Sequence, residues 1–218
     1  TALAMVSVLR RAGEKALVHT AAASNLGQML VKLCQAESIP LVNIVRSEEQ
    51  VALLRSLGAT HVCNSSSAEF MRELIAAITE TGAFLAFDAI GGGPLAGQIL
   101  TAMEAAATAR MPGFSVYGST QHKQVYLYGR LDSSPTQLTG GFGFAWGVAG
   151  WLLTPYLQRL GAEEVASMRR RVAENLRTIF ASHYTRRITL QEALQPEIIA
   201  AYSKRATGEK YLITPAAS

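Results

Sequence analysis

Three times between Lys15 and Gly82 a short β-rich run is followed by a helical pattern. Alternation of this kind argues for a parallel sheet covered by helices, because each strand must be carried back to the same edge by a crossover. The first unit is "KALVH" with a helix from about Asn25, whose Leu26, Met29, Leu30, Leu33 and Cys34 share one face. The second is "PLVNIV" with "SEEQVALLRSLG": Ser47 suits an N-cap, Gln50 stands three residues later as its capping-box partner, and Gly58 can end the helix. The third is "THVCN" with "AEFMRELIAAITETG", ending at Gly82. A fourth strand, "AFLAFDAI", runs into "GGGPLAGQILTAMEAAATA", and a fifth, "QVYLYG", follows an irregular stretch from about Arg110 to Lys123. The order predicts an α/β fold with a doubly wound parallel sheet of about six strands, a Rossmann fold. Beyond it lie an uncharged segment, a long helix predicted over 162–181, and a tail with "RRITL", a short helix and "EKYLI".

Several classes are disfavoured by composition. Hydrophobic residues at 49% and charged ones at 17% describe a packed protein rather than a disordered one. The net charge of +4 is scattered, and its densest run, "MRRRVAENLR" from Met168, has no aromatic residues interleaved for base stacking, so no nucleic-acid partner is expected. Cys34 and Cys63 form no C-x-x-C and read as buried thiols of a reducing cytoplasm. No secretory signal pattern opens the sequence, which reads as cytoplasmic. Residues 133–158 carry no charge, but glycines, Thr139, Thr154 and Pro155 break the apolar run, so a buried or interface strand is expected there instead of a membrane span.

In a doubly wound sheet the ligand sits beyond the carboxyl ends of the strands, with phosphate against the first helix N-terminus. Counting back from Gly27, the fingerprint G-x-G-x-x-G falls on Ala22, Ser24 and Gly27, and only the last is glycine. Ala22 is small enough for a tight turn, the Ser24 hydroxyl can donate to phosphate, and Asn25 tolerates unusual backbone angles. The turn alone leaves an ordinary strand-to-helix connection open. A cofactor with a free ribose 2′-hydroxyl is usually held by an acid ending the second strand, ~20 residues after the glycines. Here Val45 stands in that place and Arg46 follows, which suits a 2′-phosphate and predicts NADP(H) over NAD(H).

Taken together, "TALAM", "KALVHTAAASNLGQML", "LRSLGATHV", "FDAIGG", "VYLYG" and "KRATGEKYLITP" occur in a familiar order. The chain resembles the medium-chain dehydrogenase/reductase superfamily, in its quinone oxidoreductase-like branch, over nearly its whole length. Members carry a further N-terminal domain of roughly a hundred residues, the scale of a small domain, so the resemblance implies the cofactor-binding half of a larger enzyme. Residues 1–183 would be the NADP-binding domain and 184–218 a return segment packing on a catalytic domain outside this chain.

Site roles follow from the same resemblance. Ser24, Asn25, Leu26 and Gly27 would face the pyrophosphate, Arg46 the 2′-phosphate, Asn64 and Ser65 the adenosine side. Ala89, Ile90 and Gly91 would pass near the nicotinamide ribose, and Gly129 near the ring. The turn departs from the family in two missing glycines and one extra residue, and Arg110 to Lys123 reads as an insertion. No metal role is expected for His19, His61, His122 or His183, and no tyrosine has a Lys four residues later as a short-chain dehydrogenase requires. The expected activity is NADPH-dependent hydride transfer to a small-molecule quinone or activated carbonyl, which needs little from the protein beyond positioning. A zinc alcohol dehydrogenase relative and a non-catalytic NADPH- or RNA-binding relative stay open as alternatives. The resemblance also implies a homodimer joined through the strand around Trp146 to Leu153.

Overall fold

The computed structural model describes residues 1–182, 184–203 and 210–215, and these fall into two compact units, 1–171 and 172–218. His183 and the first half of the "KRATGEKYLITP" motif, 204–209, lie outside the described residues.

In the first unit six strands form one parallel sheet: β1 (Leu17–His19), β2 (Leu41–Val45), β3 (His61–Asn64), β4 (Leu85–Asp88), β5 (Lys123–Leu127) and β6 (Trp146–Gly150), in the order β3-β2-β1-β4-β5-β6. The order reverses between β1 and β4, which makes their carboxyl ends the switch point where open α/β sheets take ligands. Helices α1 (Ala2–Arg11), α2 (Asn25–Ala36), α3 (Glu48–Ser56), α4 (Phe70–Thr81), α5 (Leu95–Thr108), α6 (Leu153–Arg159) and the start of α7 (Ala162–Glu174) surround it. The three central strands are buried along their whole length, which explains why they read as continuous apolar runs rather than alternating ones. On one face Val18, Ile44, Ala86 and Val125 meet Leu74 and Ile78 of α4 and Ile99 and Met103 of α5 in a single core. Residues 2–9 of α1 are all buried, and the helix lies against α2 and α6.

The local signals act as their chemistry predicts. The Ser47 hydroxyl accepts from Gln50 N at 3.4 Å, while the Gln50 side chain reaches back to Arg46 N at 3.0 Å, one residue before the position a capping box uses. Gly82 ends α4 in the left-handed conformation.

One expectation changes. The helix predicted over 162–181 ends at Glu174, because the Asn175 carbonyl takes the N–H groups of Thr178 and Phe180 and turns the chain out of the helical ladder. The irregular stretch before β5 is held by a buried ion pair: Lys123 Nζ lies 2.5 Å from Glu104 Oε2, and the same carboxylate accepts from Ser119 N at 2.7 Å and Ser119 Oγ at 2.6 Å. In the second unit β7 (Arg186–Thr189) pairs in parallel with β8 (Tyr211–Thr214), and α8 (Pro196–Ser203) lies between them in sequence, with Ile188, Ala193 and Ile198 as a small core.

Candidate nucleotide site at the sheet switch point

The turn after β1 is shaped by one missing side chain. A Cβ on Gly27 would lie 2.7 Å from Ala22 Cα and closer still to the Ala22 carbonyl, so only glycine lets the first turn of α2 come this near the strand. That is the close-packing role of the third glycine in a dinucleotide fingerprint. The residue of this turn with positive φ is Ala21, at 49°, one before Ala22, on which the spacing places the first fingerprint position. Ser24 is the N-cap of α2, and its Oγ accepts from Gly27 N at 3.1 Å, which leaves the hydroxyl proton free to point outward. Asn25 and Leu26 complete the first turn, Asn25 exposed and Leu26 half-buried.

Across the switch point a polar clamp that the sequence reading missed joins β1 to β4. Thr20 Oγ1 donates to Asp88 Oδ1 at 2.6 Å and accepts from Ala89 N at 2.8 Å, with both side chains buried. The Asp88 carboxylate also takes Ile90 N at 2.9 Å and Gly91 N at 3.1 Å, so one acid folds the loop that carries Ala89, Ile90 and Gly91. An Asp ending a strand just before glycines was the available signal. Gly129, after β5, meets this loop backbone to backbone, since a Cβ there would stand 2.6 Å from the Ala89 carbonyl. Segment 132–137 covers the following glycines: Gly93 N donates to the Pro135 carbonyl at 3.1 Å, and Thr136 Oγ1 to the Gly91 carbonyl at 2.5 Å.

Beside the clamp, His19 Nε2 and the Tyr128 hydroxyl lie 2.7 Å apart with stacked rings. His19 is fully buried, and desolvation lowers its pKa to about 4, so it is neutral at ordinary pH. Burial, and after it the Asp88 charge, pushes the Tyr128 phenol well above its usual range, so it stays protonated.

At the other half of the crevice, Arg46 follows β2 and is exposed, with no ion-pair partner among the described residues. Glu48, two residues on, is turned instead to Asn64, whose Nδ2 donates to Glu48 Oε1 at 2.6 Å. Asn64 Oδ1 accepts from Ser66 N at 3.0 Å, so both ends of this buried amide are occupied in shaping the loop. Ser65 N donates to the Val45 carbonyl at 2.7 Å, and the Ser66 hydroxyl to the Arg46 carbonyl at 3.0 Å. The predicted residues thus gather as two groups: Arg46, Asn64 and Ser65 at the ends of β2 and β3, and Ala89 to Gly91 with Gly129 at the ends of β4 and β5. The α2 turn stands with β1 between them.

Cys34 and Cys63 are buried, and desolvation raises each thiol to about 12. Among the described residues no three His, Cys, Asp or Glu side chains are placed to hold a metal, and no helix is long and apolar enough to cross a membrane.

A parallel six-stranded sheet with its switch point over a glycine-dependent strand-to-helix turn defines a Rossmann-type domain of the dinucleotide-binding class. Residues 26–135, just over half of the chain, match the family described as zinc-binding dehydrogenase, and the chain belongs to that family, part of the medium-chain dehydrogenase/reductase superfamily. Among solved structures it is similar to a Mesorhizobium loti protein described as an NADPH:quinone reductase, at 26% identity and TM-score 0.79, covering 98% of this chain and 57% of that one. The mitochondrial 2-enoyl thioester reductase heterodimer of Candida tropicalis matches at 19% identity and TM-score 0.66, over 98% of this chain and 59% of that one. A mycobacterial protein complexed with NADPH matches at 16% identity and TM-score 0.63, over 98% of this chain and 62% of that one. The last two speak for the fold alone. This chain spans about three fifths of these solved chains. No curated protein sequence matches it.

Proposed function

We propose that the chain is the nucleotide-binding part of an NADPH-dependent oxidoreductase that reduces quinones or activated carbonyls. The observation that carries this reading is the turn at Gly27, where the absent Cβ lets α2 aim its first N–H groups at the switch point. NADPH bound there would supply a hydride, two electrons to the acceptor, with the proton coming from solvent. The chain's own residues position and exclude. Ser24 and the α2 N-terminus hold pyrophosphate, with Asn25, Leu26 and Gly27 as its wall. Arg46 offers a paired donor to the 2′-phosphate, and Asn64 and Ser65 border the adenosine. Ala89, Ile90 and Gly91, fixed by Asp88 and Thr20, lie along the nicotinamide ribose, and Gly129 leaves room for the ring. The described residues supply no donor set for zinc, and no step is assigned to a metal.

The edge position of β6 supports a homodimer through strand pairing across a two-fold axis. Its outer rim has no strand partner among the described residues, and Ala149 and Gly150 are exposed. Such a rim is a ready template for a second copy. Trp146 heads the strand but packs its ring on the core, and Trp151 follows the strand. Trp151 is buried against Phe87 and Tyr156, and Trp146 packs edge-on to Phe142, so the exposed apolar area near the edge comes from Phe144 and Leu152.

Titrating the chain with NADPH, followed by nicotinamide fluorescence, tests the reading. Saturable binding with quinone turnover far below the ordinary ~10 per second is expected, because an acceptor held from one side loses orientation. Absence of nucleotide binding would overturn the proposal.

A further inference from the structure

A concavity of about 540 Å³ opens at the carboxyl ends of β5 and β6, next to Gly129. Leu127, Tyr128, Trp151 and Pro155 give it an aromatic and apolar lining, and Arg130 and Arg159 bring two guanidiniums to it. Arg130 Nη2 donates to the Ser133 carbonyl and Arg159 Nε to the Pro155 carbonyl, each at 3.3 Å. Neither has a carboxylate partner among the described residues, and residues 133–158 between them carry no charge at all. One unpaired arginine on a surface is ordinary. Two on one concavity with apolar walls repel each other and focus positive potential where an anion would relieve it.

The dinucleotide's own phosphates do not account for this charge. The α2 turn belongs to β1 and Arg46 to β2, whereas β5 lies two strands from β1 and three from β2. At ~4.8 Å per strand the concavity is roughly 10 Å or more from either phosphate site. We infer that this concavity is the acceptor site and that Arg130 and Arg159 select conjugated acceptors bearing an anionic group, such as a carboxylate, sulfonate or phosphoryl. The inference rests on the reading of the chain as a reductase and adds the substrate class to it.

The test uses the whole chain saturated with NADP+, so that no turnover occurs, and two probes that differ by one charge: a naphthoquinone sulfonate and the parent naphthoquinone. Quenching of tryptophan fluorescence, with Trp151 in the lining, reports binding. The sulfonate should bind about tenfold or more tighter than the parent; Arg130→Gln and Arg159→Gln should each remove much of that preference, and the double variant all of it, with the neutral ring unaffected. Arg72→Gln, an exposed residue of α4, controls for net charge and should change nothing. Equal affinity for the two probes, or a preference that persists in the double variant, would overturn the inference while leaving nucleotide binding intact. Failure to bind NADP+ in the same samples would instead bring down the reductase reading and the acceptor role with it.

Discussion

Removing one partner of the Glu104–Lys123 pair should unfold the protein far more readily than a surface charge change would. Both side chains are buried, Lys123 at 0% and Glu104 at 6% exposure. Lys123 Nζ contacts Glu104 Oε2 at 2.5 Å, the Gln121 carbonyl at 2.9 Å and Ser119 Oγ at 3.1 Å, so its three protons all have acceptors. Lys123→Met strands a buried carboxylate with only the two Ser119 donors, and losses of this kind run to about 3–5 kcal/mol. Glu104→Gln strands the ammonium and should cost a similar amount. The double variant should cost less than the sum by a coupling of about 1–3 kcal/mol, because neither charge is then left alone. Burial raises the Glu104 pKa, and hydrogen bonds from Lys123 and Ser119 more than reverse this, holding it below its usual 4.5. A depressed carboxylate stabilises the fold above its unfolded pKa and loses that contribution as pH falls through its folded value. The gap between wild type and Glu104→Gln should therefore be full at neutral pH and close below about pH 4. Urea unfolding followed by circular dichroism measures each variant. Single losses under about 1 kcal/mol that simply add, as for exposed pairs, would refute the reasoning.

Gly27→Ala should abolish nucleotide binding or prevent folding, since the new Cβ has no space against Ala22; a folded variant that binds NADPH normally would contradict the turn's role. His19→Gln should flatten the acid side of the stability profile. A histidine depressed to about 4 from 6.5 costs the fold about 3 kcal/mol as pH drops through that window, and wild type minus variant should show it in pH-dependent urea melts. Ala149→Lys on the exposed rim of β6 should yield a folded monomer by sedimentation that still binds NADPH, whereas a variant that stays dimeric removes the edge-pairing model.

Much of the fold was legible because its signals are local. Ser47, Gly58 and Gly82 punctuate helices by their own chemistry, and the buried central strands announce themselves as short apolar runs. Most of what stayed hidden depends on residues far apart in sequence. The Thr20–Asp88 clamp spans a separation of 68 residues and the His19–Tyr128 pair one of 109, and neither has a spacing that could be read. The helix predicted to continue past Glu174 fails for a local reason, the claim of two later N–H groups on one carbonyl, that composition does not show. Trp151 read as interface because it is aromatic and uncharged neighbours surround it, yet Phe87, two strands away, had already buried it.

Recognition of NADP(H) through Arg46 is tested most directly by a paired titration. NADPH and NADH are each titrated into wild type and Arg46→Ala. The substitution should weaken NADPH about ten- to hundredfold, the loss of charge-assisted hydrogen bonds to one phosphate, and leave NADH nearly unchanged. Equal losses for both nucleotides, or none for either, would contradict it.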